Sequence, residues 1–301
     1  MTSILYDAPG PVALRRERWG SVAGVIVLLV AAFFAARYAA GRGVFDLESW
    51  NVLWDPPRGQ TAGDVWTSIL VRGLGATLQA AAIAAPLALA LGLLLALWRR
   101  ASNVVLRAPA IGVIELSRGL PVLLMMFFGW LALSMRPFYA VIFGLVIYNM
   151  AIIAEILRAG LAALPKGQAE AALAVGMTRW QTLLFVELPQ AVRTMTPSLI
   201  AQLVVLLKDS SLGFIIGYAE LLRAIQNNTQ YFGNEYAVAL FVVGAGVYLV
   251  LNISLSQLAI RVQRRGSKRS AGKLDKGAAA ELPAGVVVID PSGGRGTGAG
   301  F

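Results

Sequence analysis

Six stretches of the chain are apolar over a length sufficient to cross a bilayer: 20–40, 66–97, 107–134, 138–158, 197–217 and 236–260. A helix rises about 1.5 Å per residue, so about 20 predominantly apolar residues cross a hydrocarbon core of roughly 30 Å. The pattern predicts an all-α membrane protein with about six transmembrane helices. The run 104–134 would be about 46 Å long as one helix, too long for one span. It carries Pro121, so the expectation is an interfacial piece near 104–116 followed by a span. The first apolar run is too long for a cleaved signal and has no small-residue cleavage site after it, which predicts a retained span.

Between the fourth and fifth runs, "KGQAEAALAVGMTRWQTLLFVELPQAV" (166–192) has the pattern of a water-soluble helical hairpin. Pro165 suits the first position of a helix that continues in good helix formers. Gly176 suits the left-handed residue that ends it. Thr178 and Gln181 have capping-box spacing for a second helix, which Pro189 is expected to stop. Connectors usually need only a few residues, so a capped hairpin of this length predicts a docking surface. The rest of the chain divides into a polar arm at 1–18, a first span with its external loop at 19–65, a transmembrane region at 66–262 containing the hairpin loop 160–190, and a tail at 263–301. The external loop holds Asp46, Glu48, Asp55 and Asp64 with Trp50, Trp54 and Trp66. The tail is glycine-rich from Gly266 onward and is expected to be disordered.

Composition agrees with the spans: 57% hydrophobic residues, 14% charged ones and a mean hydropathy of +0.69. The formal charge of +10 is unevenly placed. Arg15, Arg16 and Arg18, then Arg99, Arg100 and Arg107, then Lys166, Arg179 and Arg193, then Arg261, Arg264, Arg265, Lys268 and Arg269 alternate with the single bases Arg42, Arg58, Arg136 and Arg223. That bias predicts a multi-pass cell-membrane protein with both termini cytoplasmic. The charge thus reads as topology, with anionic lipid headgroups as its partner and no nucleic acid. The chain has neither Cys nor His, which removes thiolate chemistry and the usual zinc and haem ligands. An intramembrane enzyme finds no catalytic constellation in it, and no metal or catalytic residue is expected.

Charges inside the spans need a partner or a watery cavity. If Thr196 and Pro197 start the fifth span, Lys208 lies about 16 Å into the membrane, and Lys208, Asp209, Ser210 and Ser211 sit near the midplane. Helical spacing puts Ser198, Gln202, Asp209, Gly213 and Gly217 on one face, toward the bundle interior or a pathway. Two readings stand for Lys208 and Asp209: a substrate path, or an ion pair that packs the bundle. An ion-coupled secondary transporter using the same pair is an alternative function. Arg118, three residues after Glu115 and just before Gly119 and Pro121, is read either as part of a gate or as an interfacial anchor. Glu155 and Arg158 are expected to pair locally.

The order Glu170-Ala171-Ala172, then Gly176, Val186 and Leu188-Pro189, resembles the EAA loop of ABC importer permeases, with Val in place of the more usual Ile. "AEILRAGLAALPKGQ" (154–168), "LPQAVRTMTPSL" (188–199), "LLKDSSLGFIIGYAEL" (206–221), "GLGATLQ" (73–79) and "ELSRGLP" (115–121) resemble the polar amino acid branch of that family. The resemblance covers about 66–262. It implies a five-helix type I importer permease core with an extra N-terminal helix. It also implies a coupling helix around Glu170, Ala171, Ala172, Gly176 and Pro189 that fits a separate ATP-binding subunit, present in two copies. A second permease chain, identical or homologous, and an extracytoplasmic amino-acid-binding protein complete the implied assembly. ATP would be bound by the partner, because this chain has no G-x-x-x-x-G-K-[ST] sequence. The implied substrate is a polar amino acid. Lys208 leans it toward glutamate or glutamine, while Asp209 beside it keeps basic amino acids open.

Overall fold

The computed structural model describes residues 10–41 and 43–280. Its helices are α1 (Pro11–Ala40), α2 (Ala62–Trp98), α3 (Val104–Gly119), α4 (Val122–Ala132), α5 (Pro137–Ala162), α6 (Lys166–Ala174), α7 (Arg179–Ile216), α8 (Leu221–Phe232) and α9 (Ala237–Ala280). Among the described residues there is no strand. Among the described residues five helices are long and apolar enough to cross a membrane, or six if the bent pair α3 and α4 counts as one span.

That pair corrects the expected interfacial piece. The break falls at Leu120 and Pro121 rather than after 116, and the two helices meet at 104°. Proline drives the residue before it to extended backbone, and Leu120 has φ −101° and ψ 139°. The second arm, α4, is only eleven residues long, about 16 Å, so it does not cross a bilayer by itself.

Pro189 does not stop a helix, and Thr196 does not cap one. α7 runs unbroken through Pro189 and Pro197. A π-helical turn at Thr182–Glu187 comes first, and Leu188 N–H bonds to Leu183 O five residues back. The wider turn shifts the hydrogen-bond register just where proline lacks its donor. Thr196 Oγ1 instead donates to Val192 O at 2.8 Å. The depth assigned to Lys208 from a start at Pro197 therefore loses its basis. The helix also tightens to a 3-10 turn at Ser210–Ile216, so Asp209, Gly213 and Gly217 no longer share a face. Gly213 is buried and Ser198 exposed.

The tail differs too. Helical backbone continues past Gly266 to Ala280, because extending an existing helix needs no new nucleus and "RSAGKLDKGAAA" is rich in helix formers. Most of the tail's glycines lie beyond Ala280, outside the described residues, as does the first half of the polar arm.

The chain forms two compact units. One comprises the chain up to Ala154 with Val205–Asn252, the other Glu155–Val204 with the chain from Ile253. In the first, the external loop is part of the core. Val52, in a 3-10 turn at Leu47–Leu53, is buried with Val65, Ile69, Leu221, Ile225, Phe232, Ala239 and Leu240. Trp50 packs on that cluster and donates its indole N–H to Val44 O at 3.1 Å. Arg58 reaches Tyr231, donating to its carbonyl and lying 5.5 Å from its ring centre. Close helix packing sets the rest. A Cβ on Gly92 would lie 2.6 Å from Ile153 Cγ2 and 2.8 Å from Met150 O.

Candidate functional sites: a capped hairpin and a lysine pocket

The hairpin in the second unit is built by its caps. α6 begins after Pro165, whose φ is −59°. It ends in a Schellman motif: Gly176 has φ +88°, its N–H bonds to Leu173 O at 3.0 Å, and Met177 N–H bonds to Ala172 O at 3.2 Å. Thr178 and Gln181 form the expected capping box, with Gln181 N–H on Thr178 Oγ1 at 3.3 Å and Thr178 N–H on Gln181 Oε1 at 2.8 Å. Glu170, Ala171, Gly176 and Pro189 are exposed. Ala172 is not. It is buried with Thr182 and Leu183 and holds the two arms together. Val175 and Phe185 are 79% and 72% exposed, and Trp180 is exposed as well. An open αL glycine, an uncommitted carboxylate and exposed apolar side chains make a surface suited to a protein partner.

The second site is a cavity of about 300 Å³ in the first unit, lined by Lys208, Ser211, Tyr248 and the apolar Leu221, Leu222, Ile225, Phe241, Gly244 and Ala245. Lys208 is exposed, and among the described residues it makes no ion pair with Asp209. Neighbours on a helix point about 100° apart, which separates them. The 3-10 turn places Ser211 beside Lys208, and Ser211 Oγ donates to Lys208 O at 2.8 Å. Ser210 points inward, fully buried, donating to Leu207 O at 2.7 Å. Gly217 ends the turn at φ +84° and sends the chain into α8.

Residues 88–268 match the sequence family described as the binding-protein-dependent transport system inner membrane component. The chain belongs to this family. It is 41% identical over 253 residues to the glutamate transport system permease protein of Corynebacterium glutamicum, covering 81% of this chain and 88% of that protein. It is 34% identical over 210 residues to the glutamine transport system permease protein of Escherichia coli K12, covering 67% and 95%. Among solved structures, an amino acid ABC transporter crystallised with histidines superimposes with a TM-score of 0.62 at 30% identity, over 68% of this chain and 97% of that one. The family expected from the EAA spacing is thus the one found, and with it the type I permease fold.

Both sites fall inside the part of this permease component that matches the family, whereas α1 and the packed external loop precede it. Of the expected pathway residues, the structure brings Lys208 and Ser211 to the cavity. Asp209 and Ser210 are not in its wall, and Gln202 belongs to the second unit. Arg118 lies elsewhere, with Nη2 and Nε at 2.6 and 2.9 Å from Glu115 Oε2, both side chains nearly half exposed. Arg158 pairs with Glu155 at 2.8 Å as expected.

Sequence reasoning missed the polar group behind the cavity. Glu220 is completely buried and caps α8, accepting Leu222 N–H at 2.9 Å and Arg223 N–H at 2.8 Å. Tyr248 Oη donates to Glu220 Oε2 at 3.0 Å. Thr77 Oγ1 accepts Leu221 N–H at 3.2 Å, and Tyr218 Oη donates to Ala76 O at 2.7 Å. Burial pushes the Glu220 carboxyl above its usual range, against the pull of its three donors. Burial and the charge of Glu220 push the Tyr218 phenol up to about 12. The helix cap was legible in "AELLRA", where an acid precedes an apolar run. Its partners, far away in sequence, were not.

Proposed function

We propose that this permease component carries a polar amino acid of the glutamate and glutamine class into the cell by alternating access, driven by ATP hydrolysis on separate subunits. The observation that carries the reading is the hairpin 165–189: two capped arms locked by Ala172, with Glu170, Ala171 and Gly176 facing outward. A structure rigid within itself and open at its tip transmits a partner's movement into α5 and α7, with which it is continuous in sequence. Two ATP-binding subunits, each holding ATP, would engage two such hairpins, one from this chain and one from an identical or homologous permease. An extracytoplasmic binding protein would deliver the substrate. The Lys and Arg bias supports cytoplasmic placement of both termini and of the hairpin. The glutamate and glutamine names of the relatives and the cation at Lys208 support the substrate class. The ion-coupled alternative loses support, because Lys208 and Asp209 form no pair to serve as a coupling site.

The test is reconstitution of the chain with its ATP-binding subunit and binding protein in proteoliposomes. Uptake of labelled L-glutamate or L-glutamine should require ATP and the binding protein. Uptake that follows an ion gradient without ATP, or no uptake of either amino acid, overturns the reading.

A further inference from the structure

The external loop presents side chains that the folding of the chain does not use. Its 3-10 turn at Leu47–Leu53 is held in place by several bonds: Ser49 Oγ donates to Gly43 O at 2.8 Å, the Trp66 indole N–H to Leu53 O at 3.0 Å, and Asp55 N–H to Asn51 O at 2.7 Å. The turn lies against a second 3-10 turn, Asn234–Tyr236, between α8 and α9. Arg58 folds onto the end of α8 at Tyr231. Loop, α8 end and connection thus form one fixed face. On it Leu47 is 80%, Trp54 57% and Tyr231 45% exposed, whereas Val52 between them is buried. Glu48, Asp55 and Glu235 stand exposed on the same elements, and among the described residues none of the three is in an ion pair.

Large apolar side chains that a packed core holds out of itself mark an interaction site. Trp and Leu alone would suit the lipid interface. The three carboxylates beside them do not, because anionic headgroups repel them. An apolar centre with a charged rim is the anatomy of a protein interface, and Trp and Tyr are its usual anchors.

We propose that this face docks the extracytoplasmic binding protein: Leu47 and Trp54 enter an apolar recess of that protein, and Glu48, Asp55 and Glu235 meet lysine and arginine side chains around it. The residues that match the family begin at 88, so the loop's share of the face is an addition to the common permease core. The inference rests on the amino-acid import reading. It adds which surface of this chain receives the binding protein and what chemistry the partner must present.

The test uses the permease with its ATP-binding subunit in lipid nanodiscs, and the binding protein that supports uptake in the reconstitution. ATP hydrolysis is titrated with that protein, loaded with L-glutamate or L-glutamine. Glu48→Lys combined with Asp55→Lys should raise its half-saturating concentration about tenfold, and Trp54→Ala by a similar factor. The rate at saturation should not change, because these side chains lie outside the hairpin and the spans. Added salt should raise the half-saturating concentration for the wild type and barely move it for the double reversal. The chain has no cysteine, so Glu48→Cys carrying a benzophenone maleimide gives a direct readout that keeps every core residue of the loop. It should cross-link to the binding protein, which keeps the test decisive if the lysine variants misfold. Half-saturating concentrations within about twofold of the wild type in both variants, or cross-links to lipid alone, overturn the docking face. The import reading then stands as long as wild-type uptake still requires the binding protein. Wild-type uptake that needs no binding protein overturns both.

Discussion

Gly92 faces Ile153 and Met150 so closely that a single methyl group decides whether α2 and α5 keep their spacing. Overpacking of this kind costs about 1–3 kcal/mol when the neighbour is backbone and cannot yield. A Cβ at Gly112 on α3 would meet nothing within 4 Å, and alanine there should change stability by less than about 1 kcal/mol, in the stabilising direction. Thermal unfolding of Gly92→Ala and Gly112→Ala in one detergent tests the contrast, and equal midpoints would show that the close approach carries no stability. Glu220 is a second residue with a large predicted effect. Its carboxyl is raised in the folded chain by burial, so the protonated form is favoured by folding. Its contribution is fully present below the ordinary carboxylate value and is lost as pH rises through the raised folded value. The thermal midpoint should therefore fall more from acidic to neutral pH in the wild type than in Glu220→Gln. Parallel pH profiles would show that the buried cap does not titrate on folding.

At the scale of elements, the hairpin is where sequence and function meet most directly. Gly176→Asp sits at φ +88° with open space around it, so its cost is conformational, about 1 kcal/mol, and the hairpin should persist. Together with Glu170→Lys it should sharply reduce co-purification of the ATP-binding subunit and ATP-driven uptake while leaving membrane insertion intact. Ala172→Leu should fail differently, by prising α6 from the start of α7 and lowering stability by about 1–3 kcal/mol. Retained subunit association and normal uptake in Gly176→Asp and Glu170→Lys would mean that this surface is not the coupling helix. The caps of this hairpin were legible in the sequence because each is settled within four residues: Gly176 by its backbone, Thr178 and Gln181 by their spacing. Pro189 misled because its rule assumes an α-helical ladder, and the π turn before it changes the ladder. The split of the expected pathway group has a similar cause. An α-helical wheel already sets neighbours such as Ser210 and Ser211 about 100° apart, and it cannot foresee the 3-10 turn that takes Gly213 and Gly217 off the face of Asp209. Glu220, Tyr248 and Thr77 come from three separate parts of the chain, and only tertiary packing unites them.

For the whole molecule, the segments outside the matched family region behave in opposite ways. No residue in the apolar window of α1 is buried, although the window is long and apolar enough to span. The loop that follows is the reverse: Val52 is fully buried in a cluster shared by α2, α8 and α9, and Trp50 packs on it. A helix without buried residues contributes span and topology rather than packing, whereas a loop that supplies core residues contributes folding energy. Deleting residues 1–39, so that the chain begins just before the loop, should shift the thermal midpoint of the remaining protein only slightly. The bases Arg99, Arg100 and Arg107 still hold the next flank inside. Val52→Asp in the full chain should cost several kcal/mol, because an unpaired carboxylate is forced into an apolar cluster. The two variants are compared by thermal unfolding and by protease accessibility of the loop in right-side-out membrane vesicles. If deleting α1 destabilises the protein as much as Val52→Asp does, α1 is held by contacts within the folded chain. If Val52→Asp is neutral, the loop is a linker as its polar sequence suggests, and the core of the first unit stands without it.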